Sequence, residues 1–244
     1  MITYGHEKYI VQAVESIMMQ QCEFDFELII SNDHSPDSTD YVIKKIIDEH
    51  PNSYKIKYHL QKNNIGMIPN FIFALNQAKS RYIALCDGDD YWTDPLKLQK
   101  QVDFLEANED YSICWTKYLI QSITMLNTPD WEIELSAKLP LTIDLNTIFS
   151  PYCTYTLTTV FRNNALDCES FSNLKYSKDN TIYAICLTKG KGVLLNFYGG
   201  NYRLHEKSTY SSTSLFEQYY FSYLNIHEII SNIKQCNFQH CRQA

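Results

Sequence analysis

A chain of 244 residues, 45% of them hydrophobic, is long enough to bury a substantial core in one domain. Its 28 acidic against 21 basic residues leave a formal charge of -7, which argues against a general nucleic-acid binder, because phosphate backbones are held by clustered basic side chains. No basic segment leads into an apolar core at the start and no apolar run reaches about 18 residues, so a cytoplasmic protein without a signal peptide or spanning helix is expected.

In chain order, Ile10, Val14, Ile17 and Met18 recur at helical spacing. Glu27 to Ser31 forms a compact apolar strand, closed by the polar turn Asn32 to Ser38. Val42, Ile43, Ile46 and Ile47 make a second helical stripe, Ile56 to Leu60 alternates as a strand, and Ile68, Phe71, Ile72 and Leu75 make a third helix. Tyr82 to Cys86 then reads as a buried strand. Strands alternating with helices imply a mostly parallel sheet flanked by helices, an α/β fold in which ligands bind at the carboxyl ends of strands. Thr93 or Asp94 is a candidate cap for a helix with Pro95 at its first position and Leu98, Val102 and Leu105 on its buried face.

From Trp115 to about Pro151 the periodicity weakens, and irregular excursions around an acceptor-side wall are expected there. Cys153 to Phe161 reads as a strand, Ile182 to Leu187 as a helix core and Val193 to Leu195 as another strand. Tyr219, Tyr223, Ile226, Ile229, Ile230 and Ile233 form a C-terminal amphipathic helix, a core-packing face for which a membrane or partner surface is the alternative. The dinucleotide fingerprint is absent: Gly190 and Gly192 are followed at 195 by Leu and open no helix. Eight cysteines without a Cys-x-x-Cys pair suggest reduced thiols. Cys236, His240 and Cys241 lack a fourth partner for a metal site.

The chemistry concentrates at the exit of the Tyr82 strand, in Asp87-Gly88-Asp89-Asp90-Tyr91-Trp92. Crowded carboxylates repel, so a cation among them accounts for the arrangement better than a solvated turn does. Hard oxygen ligands suit Mg²⁺ or Mn²⁺, with a diphosphate supplying the remaining oxygens. Gly88 between the acids is expected to let a bulky ligand approach the backbone. An EF-hand calcium loop fails on spacing, since Trp92 falls where Gly is needed and Leu98 where Glu is needed.

These residues, with Thr3-Tyr4, Ser31 to Asp37, Asn64-Ile65-Gly66 and Tyr202-Arg203-Leu204-His205, make residues 1 to 211 resemble the inverting family 2 glycosyltransferases of GT-A fold. The resemblance implies a GT-A domain over 1–211, with a nucleotide-sugar-binding half (1–114), an acceptor and catalytic half (115–211) and a helical extension at 212–244. It implies that Thr3 and Tyr4 frame a uracil and ribose pocket with Asp33 accepting from the uracil ring. Asn64 and Gly66 either touch ligand or shape a turn. Asp87, Gly88 and Asp89 meet the ribose-diphosphate, and Asp87, Asp89, Asp90 and His205 are metal candidates. Asp179 is the implied general base; Lys178 stands where an acid is common and would lower its pKa. Arg203 is expected to offset phosphate charge, and Tyr91 and Trp92 to stack on sugar or pack beneath the site.

The resemblance further implies a nucleotide-diphosphate donor, UDP-linked, a saccharide or lipid-linked acceptor, and peripheral contact with a membrane. Only Met1 and Ile2 precede Thr3-Tyr4, so the first strand is expected to be truncated. A catalytically impaired binding module therefore stays open, as does a nucleotidyltransferase, for which Gly5-His6-Glu7-Lys8 is a poor triphosphate loop.

Overall fold

The computed structural model describes residues 1–122, 124–149, 152–205 and 214–233; the Cys236, His240 and Cys241 set lies outside the described residues. The first half follows the apolar spacing. β1 (Ile2–Thr3), β2 (Leu28–Asn32) and β3 (Ile56–Leu60) form a parallel three-stranded sheet, with β2 buried at all five positions, as a strand covered on both faces must be. α1 (Ile10–Met18) places Ile10, Val14 and Ile17 against Leu28, Ile30 and Ile43 in one apolar cluster, the last contributed by α2 (Thr39–Glu49). α3 (Met67–Gln77) follows, then β4 (Tyr82–Ala84), β5 (Tyr91–Trp92) and α4 (Lys97–Ala107).

The second sheet has seven strands, with a main path β4-β9-β6-β10-β5. Its axis is a parallel pair of long strands, β6 (Tyr111–Gln121) and β10 (Lys191–Arg203). β7 (Leu126–Asn127), β8 (Leu141–Ile143) and β9 (Val160–Arg162) join it antiparallel. The Trp115 region is therefore not an irregular excursion but the interior of a buried strand. Alternation is missing there because Ser112 to Thr116 are all buried, with the two hydroxyls satisfied internally, Ser112 Oγ donating to Cys186 O at 2.7 Å and Thr116 Oγ1 to Lys117 O at 3.1 Å. Irregular chain begins only beyond it, around α5 (Asp130–Leu135).

The strand expected over Cys153 to Phe161 shrinks to its last residues. Thr158 and Thr159 hydroxyls both donate to Tyr155 O, at 2.8 and 2.9 Å, and fold the preceding stretch into a 3₁₀ turn at Thr156–Thr158. The helix expected from Pro95 starts two residues later, because Asp94 takes the Leu96 N–H at 2.9 Å and its own carbonyl takes the Lys97 N–H. Beyond α6 (Cys168–Ser172), α7 (Asp179–Leu187) is buried from Thr181 to Leu187, with Tyr183 edge-on to Trp115 at 5.3 Å.

α8 (Leu215–Asn232) opens with a reciprocal cap between Ser214 and Glu217. Its expected core stripe is only partly buried: Ile229 is fully covered, but Tyr219 and Tyr223 are 74% and 63% exposed. Polar anchors take over. Asn225 donates to Tyr176 O and Thr181 Oγ1, each at 2.8 Å, and Glu228 accepts the Lys175 and Tyr176 N–H groups at 2.8 Å. α8 thus holds the segment that leads into Asp179. Among the described residues no helix is long and apolar enough to cross a membrane.

The contact between β10 and β6 leaves no room at Gly192, where an added Cβ would lie 2.5 Å from Trp115 Cζ3. Gly192→Ala is expected to cost about 1–3 kcal/mol by overpacking, read as a lowered Tm in calorimetry.

Candidate active site

The exit of β4 is tied to β1. Gly88 N–H donates to Ile2 O at 3.1 Å, and a Cβ on Gly88 would stand 2.7 Å from Thr3 Oγ1 and 2.8 Å from His6 Nδ1. The space beside Gly88 is therefore filled by Thr3 and His6, not left open for a ligand as its place between two acids had suggested. Thr3 is buried and bonds His6 Nδ1 at 3.1 Å, which turns His6 Nε2 toward Asp89 Oδ2, 3.6 Å away. His205, two residues past the end of β10, brings its Nε2 to the same oxygen at 3.0 Å. Asp89 stands between two imidazoles. Burial works against its charge, but the His205 bond and the fields of both rings outweigh it and hold the carboxyl below its ordinary range.

Asp87 is placed differently. It is pushed up to about 7, first by burial and then by the Asp89 charge, with the Met1 ammonium opposing and Asp179 adding a further push. A partly buried carboxylate pair in which one charge raises the other's pKa is chemically suited to a divalent cation. Among the described residues no three His, Cys, Asp or Glu side chains close around an ion, so Asp87 and Asp89, with His205 adjoining, would leave most of the coordination sphere to diphosphate and water.

Asp90 does not share that face. It is 3% exposed and its Oδ1 accepts the Arg203 N–H at 2.8 Å, so its carboxylate is turned into the protein. Arg203 is turned inward as well, and does not offer its charge to a phosphate. The guanidinium donates to Asp89 O and, at 2.6 Å, to Gln12 Oε1, and lies between the Tyr9 and Tyr91 rings at 4.8 and 4.9 Å. Trp92 packs below the site, with its indole N–H on Leu157 O at 2.8 Å, while Tyr91 OH joins Gln121 and Asn201.

Asp33 closes the far side of the cleft. Its two oxygens accept the backbone N–H groups of Ile65 (2.7 Å) and Gly66 (2.9 Å), and Asn64 Oδ1 also accepts from Gly66. Gly66 has φ of 93°, which favours glycine, and serves as the cap of α3. Asp33, Asn64 and Gly66 therefore build one turn. Tyr4 is 48% exposed beside it.

Asp179 begins α7. Its Oδ1 accepts the Asn180 N–H at 2.9 Å and its Oδ2 the Tyr152 hydroxyl at 3.0 Å. Burial raises its pKa; the hydrogen bonds and Lys178 offset only part, so Lys178 does not set the net direction. Tyr152 and His6 are the contacts that sequence reasoning missed. Tyr152 sits in the least periodic stretch, 27 residues from its partner, whereas His6 could have been flagged by its place just past Thr3-Tyr4.

The layered α/β frame, with its acids at strand exits, has the architecture of the GT-A fold. Residues 1–181 match the Glycosyl transferase family 2 model, and the chain belongs to that family. It is 29% identical over 215 residues to the Escherichia coli UDP-Glc:alpha-D-GlcNAc-diphosphoundecaprenol beta-1,3-glucosyltransferase WfaP, covering 84% of this chain and 76% of that protein. An uncharacterized Mycobacterium tuberculosis protein, Rv1520, is 40% identical over 114 residues, 47% of this chain; the match spans only 32% of that longer relative. In fold, the chain superposes on Staphylococcus aureus TarS in complex with UDP-GlcNAc with a TM-score of 0.72 at 20% identity, over 98% of this chain and 67% of that one. The Pyrobaculum calidifontis mannosyltransferase PcManGT, in complex with GDP-Man and Mn²⁺, gives 0.69 at 13% identity, over 97% and 63%.

Asp87 makes stability depend on pH. Its folded pKa lies above the value of about 3.9 for an unfolded Asp, so the unfolded chain loses this proton first and stability falls as pH rises between about 4 and 7. In EDTA, Asp87→Asn is expected to raise Tm by a few degrees at about pH 8 and to leave it unchanged at about pH 4, measured by calorimetry.

Proposed function

We propose that the chain carries out an inverting transfer of a sugar from a UDP-linked donor to the hydroxyl of a saccharide or lipid-linked acceptor, in surface polysaccharide or glycolipid synthesis. The observation that supports this reading best is the buried Asp179 carboxylate at the start of α7, held by the Asn180 N–H and the Tyr152 hydroxyl, in a chain of the Glycosyl transferase family 2. Inversion needs one base, and Asp179 fits it. Burial raises its basicity, its Oδ1 is fixed by the helix N-terminus, and the Tyr152 hydroxyl orients Oδ2. As the acceptor oxygen attacks the anomeric carbon, Asp179 takes the hydroxyl proton and the nucleoside diphosphate leaves from the opposite face.

Thr3, Tyr4 and the turn built by Asp33, Asn64 and Gly66 would receive the base and ribose, with Gly88 backing Thr3. Asp87 and Asp89, with His205 adjoining, would hold Mn²⁺ or Mg²⁺, which when bound supplies positive charge against the leaving diphosphate. The place of action we propose is cytoplasmic, at a membrane surface, because WfaP is named for a diphosphoundecaprenol-linked acceptor. A nucleotide-binding module without turnover is the reading that the test must separate from it.

UDP release across a panel of UDP-sugars with Mn²⁺ and saccharide acceptors separates the two. Turnover is expected, with Asp179→Asn lowering kcat by about 10²–10⁴-fold while UDP affinity holds, and Asp89→Ala losing affinity and rate together. UDP binding without release from any donor and acceptor pair would favour the module, and metal-independent turnover would remove the role given to Asp87 and Asp89.

A further inference from the structure

α8 carries two opposed faces. One clamps the segment ahead of Asp179 through Asn225 and Glu228, with Ile229 buried beside them. At 3.6 residues per turn, Phe216, Tyr219, Tyr220, Tyr223, His227 and Ile230 fall within an arc of about 100° on the side turned away from Asn225. All six are exposed. Their rings line up along the helix, Phe216 stacked on Tyr220 and Tyr223 beside His227, each pair at 6.0 Å.

Phe216, Tyr219, Tyr220 and Tyr223 are 76, 74, 49 and 63% exposed. At about 150–250 Å² per aromatic side chain, these four leave about 500 Å² open, a patch of the size that marks an interaction site. The helix's carboxylates lie outside this arc: Glu217 is taken by the Ser214 cap and Glu228 by the Lys175 and Tyr176 N–H groups. Nor does α8 contain a Lys or Arg, the side chains with which an interfacial helix meets lipid headgroups. What the face matches is itself. Set antiparallel about Tyr223, two copies of α8 bring Phe216 of each opposite Ile230 of the other and Tyr219 opposite His227. Apolar then meets apolar, and a phenol hydroxyl meets an imidazole. The two patches together bury about 1,000 Å², the size at which specific interfaces begin.

We propose that this face of α8 is the interface of a homodimer, in which two copies of the chain pair their helices antiparallel across a two-fold axis at Tyr223. The pairing uses none of the clamping side chains and braces α8 from outside, which stiffens the segment that leads into Asp179. The inference does not rest on the donor reading, because its readouts need no nucleotide.

The test is sedimentation equilibrium of the whole chain over about 1–100 µM, where an interface at the small end of the specific range is expected to give a monomer–dimer equilibrium with a micromolar Kd. Tyr223→Glu sets two carboxylates face to face on the axis and is expected to raise Kd at least about tenfold, with the circular dichroism of the fold unchanged. Phe216→Lys should weaken the dimer as well. Adding Ile230→Glu to that variant should lower Kd again by about fivefold or more, because each introduced ammonium then meets the other copy's introduced carboxylate, twice across the axis. A chain that stays monomeric throughout the range would overturn the proposal, as would a dimer indifferent to Tyr223→Glu or a double variant no tighter than Phe216→Lys. So would a monomer that binds phosphatidylcholine vesicles and loses them on Tyr223→Glu, which would give the face to a lipid surface instead.

Discussion

One buried guanidinium organises the cleft. Arg203, at the end of β10, joins residues that lie 191, 114 and 113 positions away in sequence, Gln12 through its side chain and Asp89 and Asp90 through the carboxylate loop. Its charge is sheltered between two tyrosine rings, and every contact is to a group that must be held still for Asp89 to face outward. With the loop pinned from below, Asp90 points in, Asp89 meets the two imidazoles, and Asp87 is left half-buried beside the Asp89 charge. The cation site proposed at Asp87 and Asp89 rests on this division of roles among three neighbouring acids.

The side of the cleft that carries the proposed base is held by a different device. Asp179 depends on the N-terminus of α7 and on Tyr152, and the chain before it depends on α8, whose Asn225 and Glu228 take up the backbone of residues 175 and 176 and the hydroxyl of Thr181. The C-terminal helix therefore works less as an apolar lid than as a polar clamp. Its outward aromatic residues, Phe216, Tyr219 and Tyr223, are not used for that clamping and remain on the surface.

The two halves of the molecule differ in how their rigidity arises. The carboxylate loop is fixed by charge-assisted bonds across long sequence separation, while the β2 edge next to it is open to a cavity. Both devices stand in a chain of the Glycosyl transferase family 2.

Much of this was legible in the residues alone. Period-3.6 and strand-length apolar runs located α1, α2, α3 and β2 to β4, because each buries its own local face and needs no distant partner to be recognised. The acids at 87 and 89 stood out because like charges side by side repel, whereas Asp33, Asp179 and His205 were singled out through the resemblance to the family. What the sequence could not disclose depends on contacts between distant segments. The long β6 hid its period because both faces are covered, and the Cys153 run lost its strand to threonine hydroxyls that bond locally. Which of Asp87, Asp89 and Asp90 faces solvent, why Gly88 has no side chain, and that Arg203 turns inward were decided only when β1, β4 and β10 met, because hydrogen bonds and steric exclusion act through space and leave no periodic trace along the chain.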